Sequence, residues 1–244
     1  MPEIRLDKFL AGQLPDVSRT GAKELLKKGL VTVDGETVKR YDHKLDPEKA
    51  VVAVSEKVIS YREHLYIMLN KPAGVVCAVR DKLTPTVMEL LPPELRRPGL
   101  FPAGRLDKDS VGFVLLTDDG ELAHRMLSPS SHVPKRYFVR LEKPVSDDAP
   151  ELFRSGMTID EDEKCLPAEL EICGCDSSSD HNMECFVTLH EGKFHQIKRM
   201  FEATGNSVVY LRRVRIGGVT LDDKLSEGEV RLLEENEIKS LISY

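Results

Sequence analysis

From Leu65 onward the chain presents a succession of short apolar runs: LYIMLNKP, GFVLLT, RYFVRL, ECFVTLH and VRIGGVTL. Their length and spacing read as strands. Only two intervening stretches have clear helical character, ELAHRML and KFHQIKRMFEATG. Runs of strands with few helices between them require an α+β fold with a mainly antiparallel sheet. A doubly wound fold is excluded, because strict strand–helix–strand alternation is missing.

Residues 4–49 read differently. IRLDKFLAGQL carries Leu6, Phe9 and Leu10 at helical spacing. Ser18 stands where an N-cap belongs, ahead of RTGAKELLKKG, whose Leu25 and Leu26 face inward while Lys23, Lys27 and Lys28 stay in water. Gly29 is placed to end that helix. VTVDGETV then alternates around Asp34-Gly35, a strong short hairpin signal. Residues 50–64 finish a strand and supply a linker. The expected division is a small α/β module over 1–58, a linker over 59–64 and a larger domain over 65–244, a partition that 244 residues accommodate.

Several classes are excluded early. No apolar run is long enough to cross a bilayer, and MPEIRLDKFL lacks the basic-then-apolar order of a secretory signal. The five cysteines (Cys77, Cys165, Cys173, Cys175, Cys185) are odd in number and contain no C-x-x-C pair. They read as reduced thiols of a cytoplasmic protein without a membrane partner. No heptads or long apolar faces occur, so a monomer is expected.

A net charge of −6 argues against a polyanion partner only until its distribution is considered. Residues 147–184 hold twelve acidic side chains against Arg154 and Lys164, so the rest of the chain carries a net +4. Residues 190–215 contribute Lys193, Lys198, Arg199, Arg212, Arg213 and Arg215 against Glu191 and Glu202. Such a basic region is an electrostatic footprint for phosphates.

The stretch AGRLDKDSVGFVLLTDDG admits three chemistries. As a calcium loop it fails, because Val111 offers no side-chain oxygen, Asp118 stands where a bidentate Glu belongs, and FVLLT lies between. As a phosphatase motif it needs an apolar parallel strand leading into Asp107, yet Pro102 and Gly104 interrupt that approach and the strand follows instead. What remains is a Gly-Arg-Leu-Asp loop ahead of a buried strand and an Asp-Asp-Gly turn, in which Asp118 and Asp119 close the turn before a helix. His195, His124 and His132 have no second metal ligand at useful spacing, so no metal site is expected, and His195 reads as a structural hydrogen-bonding residue.

Gly104-Arg105-Leu106-Asp107, with Ser110, Gly112 and the following T-D-D-G, resembles the signature of the pseudouridine synthases. Ser110 stands where that family more often has Thr, which keeps the hydroxyl. Further segments resemble the family in order: Lys71-Pro72-Ala73-Gly74, Lys135-Arg136-Tyr137, and the run from Glu191 to Met200, which is similar to the RsuA branch. RLDKFL, SRTGAKELLKKG and VTVDG resemble an S4 RNA-binding domain. Together the resemblances span essentially the whole chain.

These resemblances imply an isomerase that converts a specific uridine of ribosomal RNA to pseudouridine. Uridine 516 of 16S rRNA in a small-subunit assembly intermediate is the expected target. The same chemistry on 23S rRNA, or a non-catalytic S4-type assembly factor, are the alternatives. They imply Asp107 as the catalytic carboxylate, Lys198 as its ion-pair partner and Tyr137 stacked on the uracil. Arg5, Lys8, Arg19, Lys23 and Lys27 would line a phosphate-contacting face, with Arg105, Lys193 and Arg199 as further RNA contacts. Arg105 would fill the space left by a flipped base or hold its phosphate.

The chemistry fits a single carboxylate. The N1–C1′ bond breaks, the base turns, and C5 bonds to the same carbon through a cation-like sugar, as in glycoside hydrolysis. Nothing is oxidised and no group is transferred away, so no cofactor is expected. A carboxylate in a water-excluding site needs a nearby cation to remain ionised. Addition to C1′ and abstraction of a C2′ proton both remain open.

Overall fold

The computed structural model describes residues 3–15, 17–160, 162–173 and 183–243; Glu161, Cys175 and the SSSD stretch lie outside these. The chain forms two compact units, Met1–Leu65 with Leu91–Leu100, and Tyr66–Leu90 with Phe101–Tyr244.

In the first unit, β1 (Ile4–Arg5) leads into α1 (Leu6–Gln13), which buries Leu6, Phe9 and Leu10 as their spacing requires. Helix α2 (Arg19–Lys27) starts at Ser18, whose hydroxyl accepts the Gly21 N–H at 3.1 Å. Gly29, at φ +73°, turns the chain out of the helix. β2 (Val31–Val33) and β3 (Glu36–Thr37) join through Asp34 and Gly35, both at positive φ as a type I′ turn demands. β4 (Lys44–Leu45) pairs with β1, while β5 (Val52–Val54) and β6 (Lys57–Val58) complete a sheet ordered β3-β2-β5-β6.

Residues 50–64 therefore contain a second hairpin as well as the expected strand. Its turn residues, Ser55 and Glu56, both hold positive φ although neither is a residue that advertises it. Leu6, Phe9, Leu10, Ala22, Leu26, Val31 and Val52 form the core of this unit, all but excluded from solvent. Ser18→Ala should cost about 1 kcal/mol, detectable as roughly fivefold faster hydrogen exchange of the first-turn amides of α2.

The second unit is built on one sheet. Its elements are β7 (Tyr66–Lys71), β8 (Phe101–Ala103), β9 (Val111–Thr117), α3 (Gly120–Leu127), β10 (Lys135–Leu141), α4 (Ala149–Ser155), β11 (Thr158–Ile159), β12 (Glu163–Lys164) and β13 (Glu169–Ile172). β14 (Glu184–Leu189), α5 (Gln196–Ala203), β15 (Val208–Ile216), β16 (Val219–Thr220), β17 (Val230–Leu232) and α6 (Glu235–Ser240) follow. The strand order is β13-β14-β10-β15-β9-β7-β17, with β8 alongside β9 and β16 alongside β15. Among these pairings only β9–β15 is parallel.

Every residue of β9 is buried, which explains its unbroken apolar run. Met68, Phe113, Leu115, Met126 and Ile216 meet in one core cluster between sheet and helices. Asp119 closes the turn after β9 as expected, capping α3 through the Leu122 N–H at 2.9 Å and accepting the Tyr66 hydroxyl at 2.7 Å. The F-P-A stretch before the Gly-Arg-Leu-Asp loop is a strand after all, but a short antiparallel one beside β9. Pro102 has no N–H to donate, which suits a strand with one unpaired side and not a central parallel one.

Candidate active site

Asp107 lies on the loop between β8 and β9, and that loop is fastened from below. The fully buried Lys71 at the end of β7 donates to the carbonyls of Pro72 at 3.0 Å, Lys108 at 3.3 Å and Ser110 at 2.7 Å. The Gly74 N–H adds a bond to the Lys108 carbonyl at 2.8 Å. The Lys-Pro-x-Gly segment is thus a clamp on the two residues that bracket Asp109. Burial pushes the Lys71 ammonium below its ordinary range, and nearby groups including Asp109 and Asp107 offset part of that shift.

A second buried cation holds the loop from the other strand. Arg213 on β15 donates through Nε to the Phe113 carbonyl at 2.7 Å and through Nη1 to the Arg105 carbonyl at 3.4 Å. β9 and β15 come close at Gly112, where φ is +99° and an added Cβ would lie 2.3 Å from the Arg213 carbonyl oxygen. The glycine that follows the Asp107 loop is therefore required by backbone approach as well as by φ.

Asp107 opens onto a cleft of about 890 Å³ whose lining includes Arg105, Lys135, Tyr137, His195 and Arg213. Lys198 on α5 places Nζ 3.4 Å from Asp107 Oδ2 and 2.8 Å from both carboxylate oxygens of Asp109. The lysine expected beside Asp107 is there, but it is shared, and Asp109 holds the shorter bonds. Burial acts to lower the Lys198 pKa, but Asp109 and Asp107 outweigh it and leave the ammonium above its ordinary range. The bonds from Lys198 hold the Asp109 carboxyl below the usual carboxylate range. His195 Nε2 lies 3.4 Å from Asp107 Oδ1, so this histidine borders the carboxylate.

Tyr137 is buried on β10, on the cleft side of the sheet. A register shift between Arg136 and Tyr137 sets Tyr137 opposite Arg213, with Val214 as the extra residue. Lys135, two residues earlier on the same face, is half-buried, and burial together with Arg213 brings its pKa down to about 8.

The run from Glu191 to Gln196 is braced by its own side chains. Glu191 Oε1 accepts Gln196 Nε2 at 2.7 Å and the Leu166 N–H at 2.8 Å, while Gln196 Oε1 accepts the Lys193 N–H at 3.0 Å. This brace sets His195 at φ +47° and leaves Phe194 70% exposed, stacked on the His195 ring. Lys193 and Arg199 are engaged within the protein: Lys193 with Glu163 at 3.2 Å, and Arg199 with Glu163 at 2.6 Å and with Asp160. Two members of the acidic stretch 160–163 thus serve as ion-pair partners rather than as a free solvated loop. Arg105 is exposed at the cleft. In the first unit Arg5, Lys8, Arg19, Lys23 and Lys27 are all exposed, with Arg5 paired to Asp7 and both Arg5 and Lys23 lying over the Tyr41 ring.

Four features of this site went unread in the sequence: the clamp by Lys71, the roles of Arg213 and Lys135, and the competition of Asp109 for Lys198. A lysine within an apolar strand end was the available signal for the first. The others depend on pairing register and on loop geometry.

The chain is similar to known proteins over nearly its whole length. Residues 65–203 match the RNA pseudouridylate synthase family and residues 4–51 match the S4 domain. The chain is 44% identical over 240 residues to the ribosomal small subunit pseudouridine synthase A of Escherichia coli K12, covering 98% of this chain and 100% of that protein. It is 45% identical over 238 residues to the RNA pseudouridine synthase YtzG of Bacillus subtilis, covering 98% of each. A crystal structure of a pseudouridylate synthase, 38% identical, aligns over 98% of this chain and 100% of that one with a TM-score of 0.67. The chain, an S4 domain followed by a catalytic α+β domain, belongs to the RNA pseudouridylate synthase family and is an isomerase of uridine in RNA.

Proposed function

We propose that this enzyme converts uridine 516 of 16S rRNA to pseudouridine, acting as a monomer on a small-subunit assembly intermediate in the cytoplasm. Near-full-length similarity to a small-subunit synthase supports the 16S target. In this reading residues 1–58 dock the rRNA, 59–64 link, and 65–244 carry out the reaction. The observation that carries the chemistry is Asp107, held on a loop clamped from two sides, opening on a cleft with a cation at 3.4 Å.

Asp107 acts at C1′ as the N1–C1′ bond breaks, either by adding to that carbon or by taking the C2′ proton. Tyr137 stacks on the uracil. Lys198 keeps Asp107 ionised, and Asp109 gives Lys198 a second partner when the Asp107 charge is consumed by the substrate. Arg5, Lys8, Arg19, Lys23, Lys27 and Arg105 contact RNA phosphates. Lys193 and Arg199 would join them only by leaving their pairs with Glu163 and Asp160; the phosphate contacts themselves make binding salt-dependent.

Asp109→Asn separates the two carboxylates. An exposed pair of this kind is worth at most about 1 kcal/mol, so activity should stay within roughly fivefold of wild type. Loss of activity comparable to that of an Asp107 variant would move the chemistry to Asp109. The target is tested by carbodiimide-adduct primer extension across 16S rRNA in pre-30S particles lacking the modification. One new stop at uridine 516 is expected; stops confined to 23S rRNA would keep the reaction and move its substrate.

A further inference from the structure

The cleft-facing side of β10 and β15 carries two cations with no carboxylate partner among the described residues. Arg213 is 2% exposed, and its Nη2 has no hydrogen-bond partner among the described residues although Nε and Nη1 are both engaged. Lys135 donates to the Val133 carbonyl at 3.0 Å and, among the described residues, forms no ion pair. The register shift brings Arg213 opposite Tyr137, and Lys135 projects from the same face two residues before it. A buried cation without a carboxylate costs stability, so Arg213, with the half-buried Lys135 near it beside Tyr137, calls for an anion that arrives with the substrate.

The reaction supplies one. When N1–C1′ breaks, the bonding pair stays on N1, and the detached uracil is an anion delocalised over N1, O2 and O4. It must turn without leaving. C5 then bonds to C1′, C5 loses its proton, and N1 takes one up. We propose that Lys135 and Arg213 form the receptor for this detached uracil anion, with Lys135 Nζ and Arg213 Nη2 donating to its ring-edge oxygens and nitrogen. Preorganised donors in a water-poor site act most strongly on charge that exists only after bond cleavage. The inference rests on the reading of Asp107 and Tyr137 as the catalytic centre.

The test is single-turnover cleavage of the N1-glycoside, followed by nucleoside chromatography, in RNA carrying uridine or 5-fluorouridine at the target. Fluorine stabilises the departing anion by itself, so a lost cation matters less. Lys135→Met should slow uridine by about 100-fold and 5-fluorouridine by about 10-fold or less, while Lys135→Arg keeps most of the uridine rate. Equal slowing of both substrates by Lys135→Met, or no slowing at all, would overturn the receptor; so would failure of Lys135→Arg to restore the rate. Asp107→Asn run alongside should abolish turnover of both bases. Turnover surviving in that variant would sink the Asp107 reading and leave the leaving-group comparison to be read on its own.

Discussion

Asp107→Asn should bind target RNA as tightly as wild type and form pseudouridine at least about 10⁴-fold more slowly under single-turnover conditions. The carboxamide is nearly isosteric, and its one oxygen can take the place of Oδ2 beside Lys198 while its nitrogen takes that of Oδ1 beside His195, each 3.4 Å away in the native protein. Lys198 is not stranded either, because Asp109 holds it through two bonds of 2.8 Å. The loop itself is fixed by backbone carbonyls, through Lys71, Gly74 and Arg213, and none of these bonds involves the Asp107 side chain. The fold therefore survives, and only the negative charge at C1′ is lost. Tritium release from RNA labelled at uridine C5 measures this directly, since the new C5–C1′ bond expels that hydrogen. A tenfold loss or less would mean that the carboxylate serves binding and not chemistry.

Gly112→Ala should be strongly damaging to the catalytic unit, costing about 4 kcal/mol and lowering Tm by roughly 8–16 °C. The new Cβ would sit 2.3 Å from the Arg213 carbonyl oxygen and 2.9 Å from its nitrogen. Both are backbone atoms of the paired strand, so no rotamer change relieves the contact. The φ of +99° adds strain for any residue with a Cβ. Relief requires β9 and β15 to part, which pulls Arg213 away from the Arg105 carbonyl and loosens the loop that carries Asp107. Activity should fall even below the melting transition. Gly35→Ala, in the open turn between β2 and β3, is the matched control, because nothing lies within 4 Å of its added Cβ. Thermal denaturation that ranks the two equally would refute the packing argument.

The strands that bear the site were legible because they are long and apolar: LYIMLNKP, GFVLLT and RYFVRL appear as β7, β9 and β10. Ser18 and Asp34-Gly35 were legible because their chemistry is local, a hydroxyl reaching its own helix and two residues that tolerate positive φ. The missed elements have other causes. β17 and β8 are three residues each; the partner of β17 lies far away in sequence, and β8 carries a proline that reads against a strand. The Ser55-Glu56 turn uses residues with no preference for its conformation.

The same division runs through the site. Asp107, Tyr137 and Lys198 stand in motifs, and the fold brings all three to one cleft or its rim. Asp109 sits in plain view two residues from Asp107, yet nothing in the sequence says that it takes the shorter bonds to Lys198. That outcome is decided by how the loop lies over α5. Arg213 read as one more basic residue in a charged stretch, and only the bulge at Val214 turns it beneath Tyr137.

The most direct test of the whole account is nucleoside analysis of unmodified 16S rRNA particles after incubation with wild-type enzyme or Asp107→Asn. Wild type should convert one uridine per RNA to pseudouridine with no change in nucleoside mass and no added cofactor, and Asp107→Asn should convert none. Pseudouridine formed equally well by Asp107→Asn would contradict the account at its centre.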